Sequence, residues 1–490
     1  MVQRLAVGHL TSPDVEVLIA GAGPTGLAMA AEAARFGLTY RIIDKSPHGA
    51  LHSQALLLQP RTLEQFERYE LAQRAIELGR RLYRIRIYGE GNRIVESSFD
   101  ELRGNYPFLL LLPQPETERL LNEHLQAQGG MIEREIALEY FEEREDSVEC
   151  VLLGRTGARD TVSASYLIGA DGAQSTVRGV LGIPFEPRGT RFDALIGDLR
   201  ADGDAPDDEL VVHLHGGSVV FIGRIDDTHC RFLVAPKTAT EEPRLQDFQS
   251  AIDEAGIENL RVSDPRWMTV LPMSEHHAAV YARGRIFLGG DAAAVHSHMG
   301  GQGLNAGIAD AENLLWKIAC VLRGRGGRLL LDSYDAERAP VSAAVEREAP
   351  MAIRAILENI QQLQLSYRNS PIVRDCGVTG GLRAGDRAVD CEVVDETGKR
   401  LRLFDCFKEP VHTALLVMPP PGAPLERFAE ITHAHAGIVQ AMVLVSGGAD
   451  LQTYYGTASL YVVRPDGYVG FRGSAADVDA LRAWLEKSFS

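Results

Sequence analysis

Cysteine is sparse and unpatterned in this chain. The six cysteines, at 150, 230, 320, 376, 391 and 406, form no C-x-x-C pair and have no histidine partners at zinc spacing. They read as reduced structural thiols, with no metal site and a cytoplasmic setting. Long apolar runs are also missing: no stretch of 18 apolar residues exists, so no membrane-spanning helix is expected. Arg4 precedes an apolar stretch, but Asp14 and Glu16 interrupt it and it leads into a glycine-rich turn, so a signal peptide is not expected. Basic charge is short, with 50 Lys and Arg against 67 Asp and Glu for a net charge of −17. Nucleic acid and anionic membrane both reward a basic surface, and neither is expected as a partner. Repeats and low-complexity tracts are absent. What remains is an ordinary globular composition, 45% hydrophobic and 24% charged over 490 residues, enough for roughly two to four domains.

Glycine is where the information lies. Gly21-Ala22-Gly23-Pro24-Thr25-Gly26 follows the apolar run Val15 to Ala20, which reads as a buried parallel strand. Gly21 permits a tight turn, Gly23 leaves room for a phosphate beside the backbone, and Gly26 allows strand and helix to pack closely. An alanine-rich helix is predicted from Pro24 to Phe36, capped at Gly37. Its N-terminal amides and dipole would attract a pyrophosphate. A second strand, Thr39 to Ile43, leads to Asp44 and Lys45; Asp44 lies 18 residues after Gly26. A carboxylate there can accept from a ribose diol and repels a 2′-phosphate. The second glycine segment is distant: Gly290-Asp291-Ala292, then Gly300-Gly301-Gln302-Gly303-Leu304-Asn305. It would bring a backbone turn and an acidic side chain to the other end of the same cofactor, which suits FAD better than NAD.

Between and beyond these segments the pattern alternates. Ser53 to Glu64 reads as a short extended piece entering a helix, Tyr83 to Phe99 as strands, Asn105 to Pro113 as an apolar run, and Gln114 as the start of an amphipathic helix. Ile136 to Leu153 and Thr161 to Ile168 look antiparallel and lead to Gly169-Ala170-Asp171-Gly172. Strands are expected at Leu210–His215, Val219–Arg224, Cys230–Ala235 and Met268–Met273, then Arg285–Leu288. Helices follow over about 304–322 and 339–367, with a linker over 368–386. A compact C-terminal unit has strands near 413–418, 442–446 and 458–463, closed by a hairpin whose Asp466-Gly467 supplies the turn. The expected division is a FAD-binding part over 1–185, with 76–105 lent to a substrate sheet, the sheet domain over 186–280, the second FAD-binding part over 281–384, and a C-terminal domain over 385–490.

GAGPTG at Gly21–Gly26, GADGAQSTVR at Gly169–Arg178 and GGDAAAVHSHMGGQGLNAGIADAENLLWK at Gly289–Lys317 together resemble the single-component flavin aromatic hydroxylases. That group includes p-hydroxybenzoate hydroxylase, phenol hydroxylase and polyketide-tailoring monooxygenases. Tyr334–Pro340 matches a further stretch usual in the group, and residues 385–490 resemble its thioredoxin-like C-terminal domain. The resemblance implies an α/β architecture: a Rossmann-like FAD-binding domain, an interleaved β-sheet substrate domain and the thioredoxin-like domain, which is expected to pack or dimerise without thiol chemistry. It implies bound FAD, transient NAD(P)H and dioxygen, with hydroxylation of a phenolic or polyketide aromatic through a flavin hydroperoxide. Asp291 would hold the ribityl chain, Gln114 would contact FAD, and Asp171 and Arg178 would serve the FAD and NAD(P)H motif. Gly290, Gly301, Gly303, Leu304 and Asn305 would face the flavin. Relatives usually carry Arg at the position of Gln54, His at that of Ala294 and Pro at that of His298. His296 and His298 are then candidates for acting on a phenol proton, and Phe221, Arg224 and Trp267 for touching substrate. Baeyer–Villiger or epoxidising chemistry on a polycyclic ketone, or a non-catalytic flavoprotein, stay open as alternatives. No W-x-W-x-I-P stretch of the flavin halogenases is present.

Overall fold

The computed structural model describes residues 12–51, 55–100, 102, 104–216, 218–235, 242–296, 301–343 and 362–489. Three large sheets organise them. The first has Val15–Ala20 at its centre, flanked in parallel by Tyr40–Asp44 on one side and Arg159–Gly169 on the other, with Ile286–Leu288 beyond. Val17, Leu18 and Ile19 are fully buried, as an apolar strand covered on both faces must be. The helix Pro24–Arg35 starts with proline in its first turn and runs through buried alanines. Those small side chains let the long helix Gln302–Leu322 pack directly against it. A Cβ placed on Gly26 would lie 1.9 Å from the Gly21 carbonyl oxygen, so only glycine permits this approach of helix to strand.

The second sheet has eight strands and carries the substrate side of the molecule. Its order is Ala294–Val295, Leu260–Ala278, Phe185–Gly203, His229–Ala235, Ser218–Arg224, Glu209–His215, Arg84–Gly89 and Asn92–Ser98. Arg84–Gly89 and Asn92–Ser98 thus come from the 76–105 stretch expected to be lent to this sheet. Two of its strands span 19 residues each, Phe185–Gly203 and Leu260–Ala278, where the sequence pattern marked only Met268–Met273. Register shifts beside Leu199 and Pro265, and Asp264 at φ 42°, break the period-2 alternation that would have revealed them. One face of the sheet is closed by the helix Leu245–Glu254; the other faces the FAD-binding loops, where Leu56, Leu57, Leu109 and Leu111 meet it.

The third sheet is the thioredoxin-like C-terminal unit. His412–Val417 lies between parallel Val439–Gly447 and antiparallel Ser459–Val463. All six cysteines are free thiols; burial pushes Cys391 up to about 12 and Cys406 up to about 11, which keeps them unreactive. Of the helix expected over 339–367, residues 339–343 are the end of the described helix Arg328–Ala343, residues 344–361 lie outside the described set, and residues 362–370 are turns, with Ser366 bridging Asp386. One expectation is corrected here. The stretch read as a linker contributes Arg374–Asp375, which pairs in parallel with Val469–Ser474. Its backbone groups are satisfied by the sheet, so it belongs to the unit it was thought to precede.

The Asp466-Gly467 hairpin forms as predicted, with Gly467 at φ 81°, and it inserts into the FAD-binding domain. Arg464 reaches Glu337 with Nη1 at 2.6 Å and Nη2 at 2.9 Å, and Lys317 Nζ lies 2.9 Å from the same carboxylate. Arg61 donates to the Asp466 carbonyl at 2.6 Å. Burial would raise the Glu337 pKa, yet Arg464 and Lys317 hold it well below the usual carboxylate range; burial pulls Lys317 down to about 8. The adjacent Arg338 donates to Asp310 at 2.6 Å, and Asp310 accepts the Gly290 amide at 2.9 Å. Hairpin, helices and second glycine loop are thereby one hydrogen-bonded frame.

Candidate active site

A cavity opens where the first and second sheets meet. One wall is made by Gly23, Pro24, Thr25, Gly172 and Asp291 with the turn Gly301–Leu304; the other by Ile196, Phe221, Arg231 and Leu233. The two distant glycine segments therefore do converge.

The backbone of the first wall fits FAD. Gly21 adopts φ 103° with no room for a Cβ beside the Ala170 carbonyl, whereas nothing lies within 4 Å of a Cβ on Gly23. That open cradle sits at the start of the Pro24–Arg35 helix, whose amides point into it. Gly301 caps the 21-residue helix Gln302–Leu322 at φ 59°, placing its unpaired first-turn amides on the cavity and a partial positive charge with them. Gly290, at φ 58°, crowds Thr25 so closely that a Cβ would lie 2.3 Å from its hydroxyl. Asp291 lies open to the cavity yet deep among protein atoms, and desolvation pushes it up to about 6. A carboxylate so placed calls for a hydroxyl donor, which a ribityl chain would supply.

Other site residues hold the frame. Asp44 accepts the Ala22 amide through Oδ2 and the Ser46 amide through Oδ1, each at 2.7 Å, leaving further lone pairs for a ribose diol. Lys45 is exposed at the strand end. Gln114 borders the cavity, accepting from the Ala55 amide at 3.3 Å and donating to Glu118 at 2.8 Å. Asp171 accepts the Thr176 and Val177 amides at 2.7 and 3.2 Å, capping a short helix. Arg178 donates to the carbonyls of Ala292 and Ala173 at 2.9 and 2.6 Å and lies 3.6 Å from the Phe185 ring centre. Asp171 thus braces its own loop through Oδ2, and Arg178 ties that loop to Ala292 beside the second glycine segment. The Asn305 side-chain amide braces the second glycine turn: its oxygen accepts from the Gln59 amide and Thr62, and its nitrogen donates to the Leu57 and Gly301 carbonyls.

Of the two candidate histidines, the structure places one. His296 borders the cavity with its ring edge-on to His277 at 5.7 Å. Burial, with His277 and Arg338 adding to it, depresses its pKa to about 3. Its imidazole is therefore neutral where it borders the cavity. His298 and Gln54 lie outside the described residues. Ala294 is buried opposite His277 at the edge of the substrate sheet.

On the substrate wall Phe221 is in place, but Arg224 is not. Three residues along the same strand, Arg224 points to the other face and donates to the carbonyls of Pro206, Ala205 and Asp227. Trp267 shares the face of Phe221 but lies outside the cavity lining, donating from Nε1 to Asp198 at 2.7 Å. Arg231 was missed: it alternates with Leu233 on the cavity-facing side of His229–Ala235, and the single charge inside that apolar strand was the available signal.

Residues 14–349 match the FAD binding domain family and residues 382–490 the aromatic-ring hydroxylase C-terminal family. The chain is 34% identical to a flavin-dependent monooxygenase of Mycobacteroides abscessus, across 93% of this chain and 96% of that one. It is 32% identical to pentachlorophenol 4-monooxygenase of Sphingobium chlorophenolicum, across 83% and 80% of the two chains. Among solved structures, the flavin-dependent monooxygenase PieE in complex with FAD and substrate superposes with a TM-score of 0.81 at 23% identity, covering 97% of this chain and all (100%) of that one. Aklavinone-11 hydroxylase with FAD and aklavinone gives 0.77 at 26% identity, over 98% and 99%. No helix among the described residues is long and apolar enough to cross a membrane. The glycine cradle, the cavity-facing helix start and these matches have one meaning: the chain belongs to the FAD-dependent aromatic-ring hydroxylases, monooxygenases that consume NAD(P)H and dioxygen.

Proposed function

We propose that this enzyme hydroxylates a polycyclic phenolic or polyketide aromatic compound in a reducing, cytoplasmic setting. The observation that carries the reading is a single cavity with a backbone wall suited to an isoalloxazine facing an apolar sheet wall of Ile196, Phe221 and Leu233. Bound FAD supplies hydride acceptance and dioxygen activation, chemistry that no side chain can perform. The chain supplies the rest. Gly23 and the Pro24–Arg35 helix start hold the pyrophosphate, Asp44 the ribose and Asp291 the ribityl hydroxyls. The start of the Gln302–Leu322 helix stabilises negative charge at the pyrimidine edge of the cofactor. Phe221 and its apolar neighbours hold the aromatic ring face-on and keep water out, which favours oxygen transfer over wasteful release. The test is oxygen-dependent oxidation of NADH and NADPH across a panel of phenols and anthraquinones, with product masses. A phenol product, one oxygen heavier and stable to hydrolysis, supports hydroxylation; a hydrolysable lactone, or no substrate-stimulated oxygen uptake, overturns it.

A further inference from the structure

Three residues on three adjacent strands of the substrate sheet stand directly opposite one another. Trp267 pairs with Asp198, and Asp198 pairs with Arg231. Arg231 donates to Asp198 through Nε at 2.5 Å and Nη2 at 3.1 Å, and its guanidinium lies 4.9 Å from the Trp267 ring centre. The indole Nε1 donates to the same carboxylate at 2.7 Å. Both charged groups are buried, Arg231 to 2% and Asp198 to 6% exposure, yet Arg231 borders the cavity between Ile196, Phe221 and Leu233.

We infer that Arg231 is the substrate-orienting residue of this enzyme and that it recognises a neutral ring oxygen, a quinone carbonyl or phenolic hydroxyl, and discriminates against a carboxylate. The inference rests on the aromatic-hydroxylase reading. Cross-strand pairing fixes the guanidinium in one place, and the stacked indole holds its plane. Asp198 already neutralises the charge. A second carboxylate brought to this pair would leave a net negative charge in a poorly solvated pocket, whereas a neutral oxygen accepts an N–H without adding charge. The sheet residues around Arg231 that line the cavity, Ile196, Phe221 and Leu233, are apolar, so the ring system presents one oxygen to Arg231 and its flat face to Phe221. Trp267 and Asp198 are positioning residues that act through Arg231.

The test measures quenching of flavin fluorescence in the holoenzyme, without NAD(P)H, by 1,8-dihydroxyanthraquinone, anthracene and anthraquinone-2-carboxylate. The wild-type protein should bind the dihydroxy compound at least about tenfold tighter than either of the others, a charge-assisted hydrogen bond being worth that much. The double variant Arg231→Met with Asp198→Leu replaces the pair by apolar groups and avoids a lone buried charge; it should keep its flavin spectrum and lose the preference over anthracene. Asp198→Asn frees the guanidinium charge and should tighten the carboxylate about tenfold or more. A wild-type preference for the carboxylate, an unchanged preference in the double variant, or no gain for the carboxylate in Asp198→Asn overturns the assignment. Failure to retain FAD or to consume oxygen with NAD(P)H would instead overturn the functional reading, and the binding ratios do not depend on turnover.

Discussion

The two walls of the cavity are built by different means. On the cofactor wall the contacts are made by backbone: glycines that leave space and helix starts that expose amides. On the substrate wall they are made by side chains, spaced two apart along strands and brought level by pairing with strands far away in sequence. A backbone wall suits an invariant ligand, because main-chain groups and cavities without a Cβ recognise a phosphate whatever surrounds them. A side-chain wall can be recut by single substitutions on a sheet that stays the same, which is how one architecture serves many aromatic substrates.

Substitutions that cross this division should behave differently on each side, and the largest effect is expected at Gly26. Gly26→Val forces carbon into the Gly21 carbonyl and should cost about 3 kcal/mol in urea unfolding as well as FAD. Gly23→Ala meets nothing within 4 Å, so the FAD-free protein should melt unchanged while FAD affinity drops by about tenfold or more; a variant that stays yellow through dialysis would remove Gly23 from the phosphate site. Asp291→Ala should weaken FAD or divert reducing equivalents to hydrogen peroxide, read by comparing peroxide with product. The same residue gives a pH signature. Burial raises its folded pKa from the ordinary 3.8 to about 6, so between those values the folded chain keeps a proton that the unfolded chain has released. Stability of the FAD-free protein should fall as pH rises through that window, and Asp291→Asn should abolish the fall in a melting series. Phe221→Ala should raise KM for the aromatic substrate by about tenfold with FAD affinity intact. Smallest of all, Arg224→Met should leave substrate binding untouched and cost about 1 kcal/mol through its lost carbonyl contacts; a large KM change would put Arg224 back in the pocket.

Legibility in the sequence followed the same division. Gly21 to Gly26, Asp291 and Gly301 to Leu304 were readable because each motif is contiguous and its chemistry belongs to the backbone. Arg231 was not, because its partners Asp198 and Trp267 are set by register across strands 33 and 69 residues apart in their hydrogen-bonded pairs. Phe221 and Arg224 looked equivalent in the chain, yet three steps along a strand turn them to opposite faces. Asp171 and Arg178 were recognised by motif, and the folded loop shows which backbone groups they bind. The expected helix overran at its far end: residues 362–370 are turns, and Ser366 pairs with Asp386, a partner the local sequence does not show.

The Arg464–Glu337 pair has a consequence for how the enzyme is made. Arg464 follows Glu337 by 127 residues, so on the ribosome Glu337 has Lys317 at hand long before its second cation is synthesised. Closure of that cluster waits for the hairpin that carries Arg464. The Asp466-Gly467 hairpin is therefore a keystone of the frame behind the flavin cleft, and a chain that lost it would lack more than an accessory.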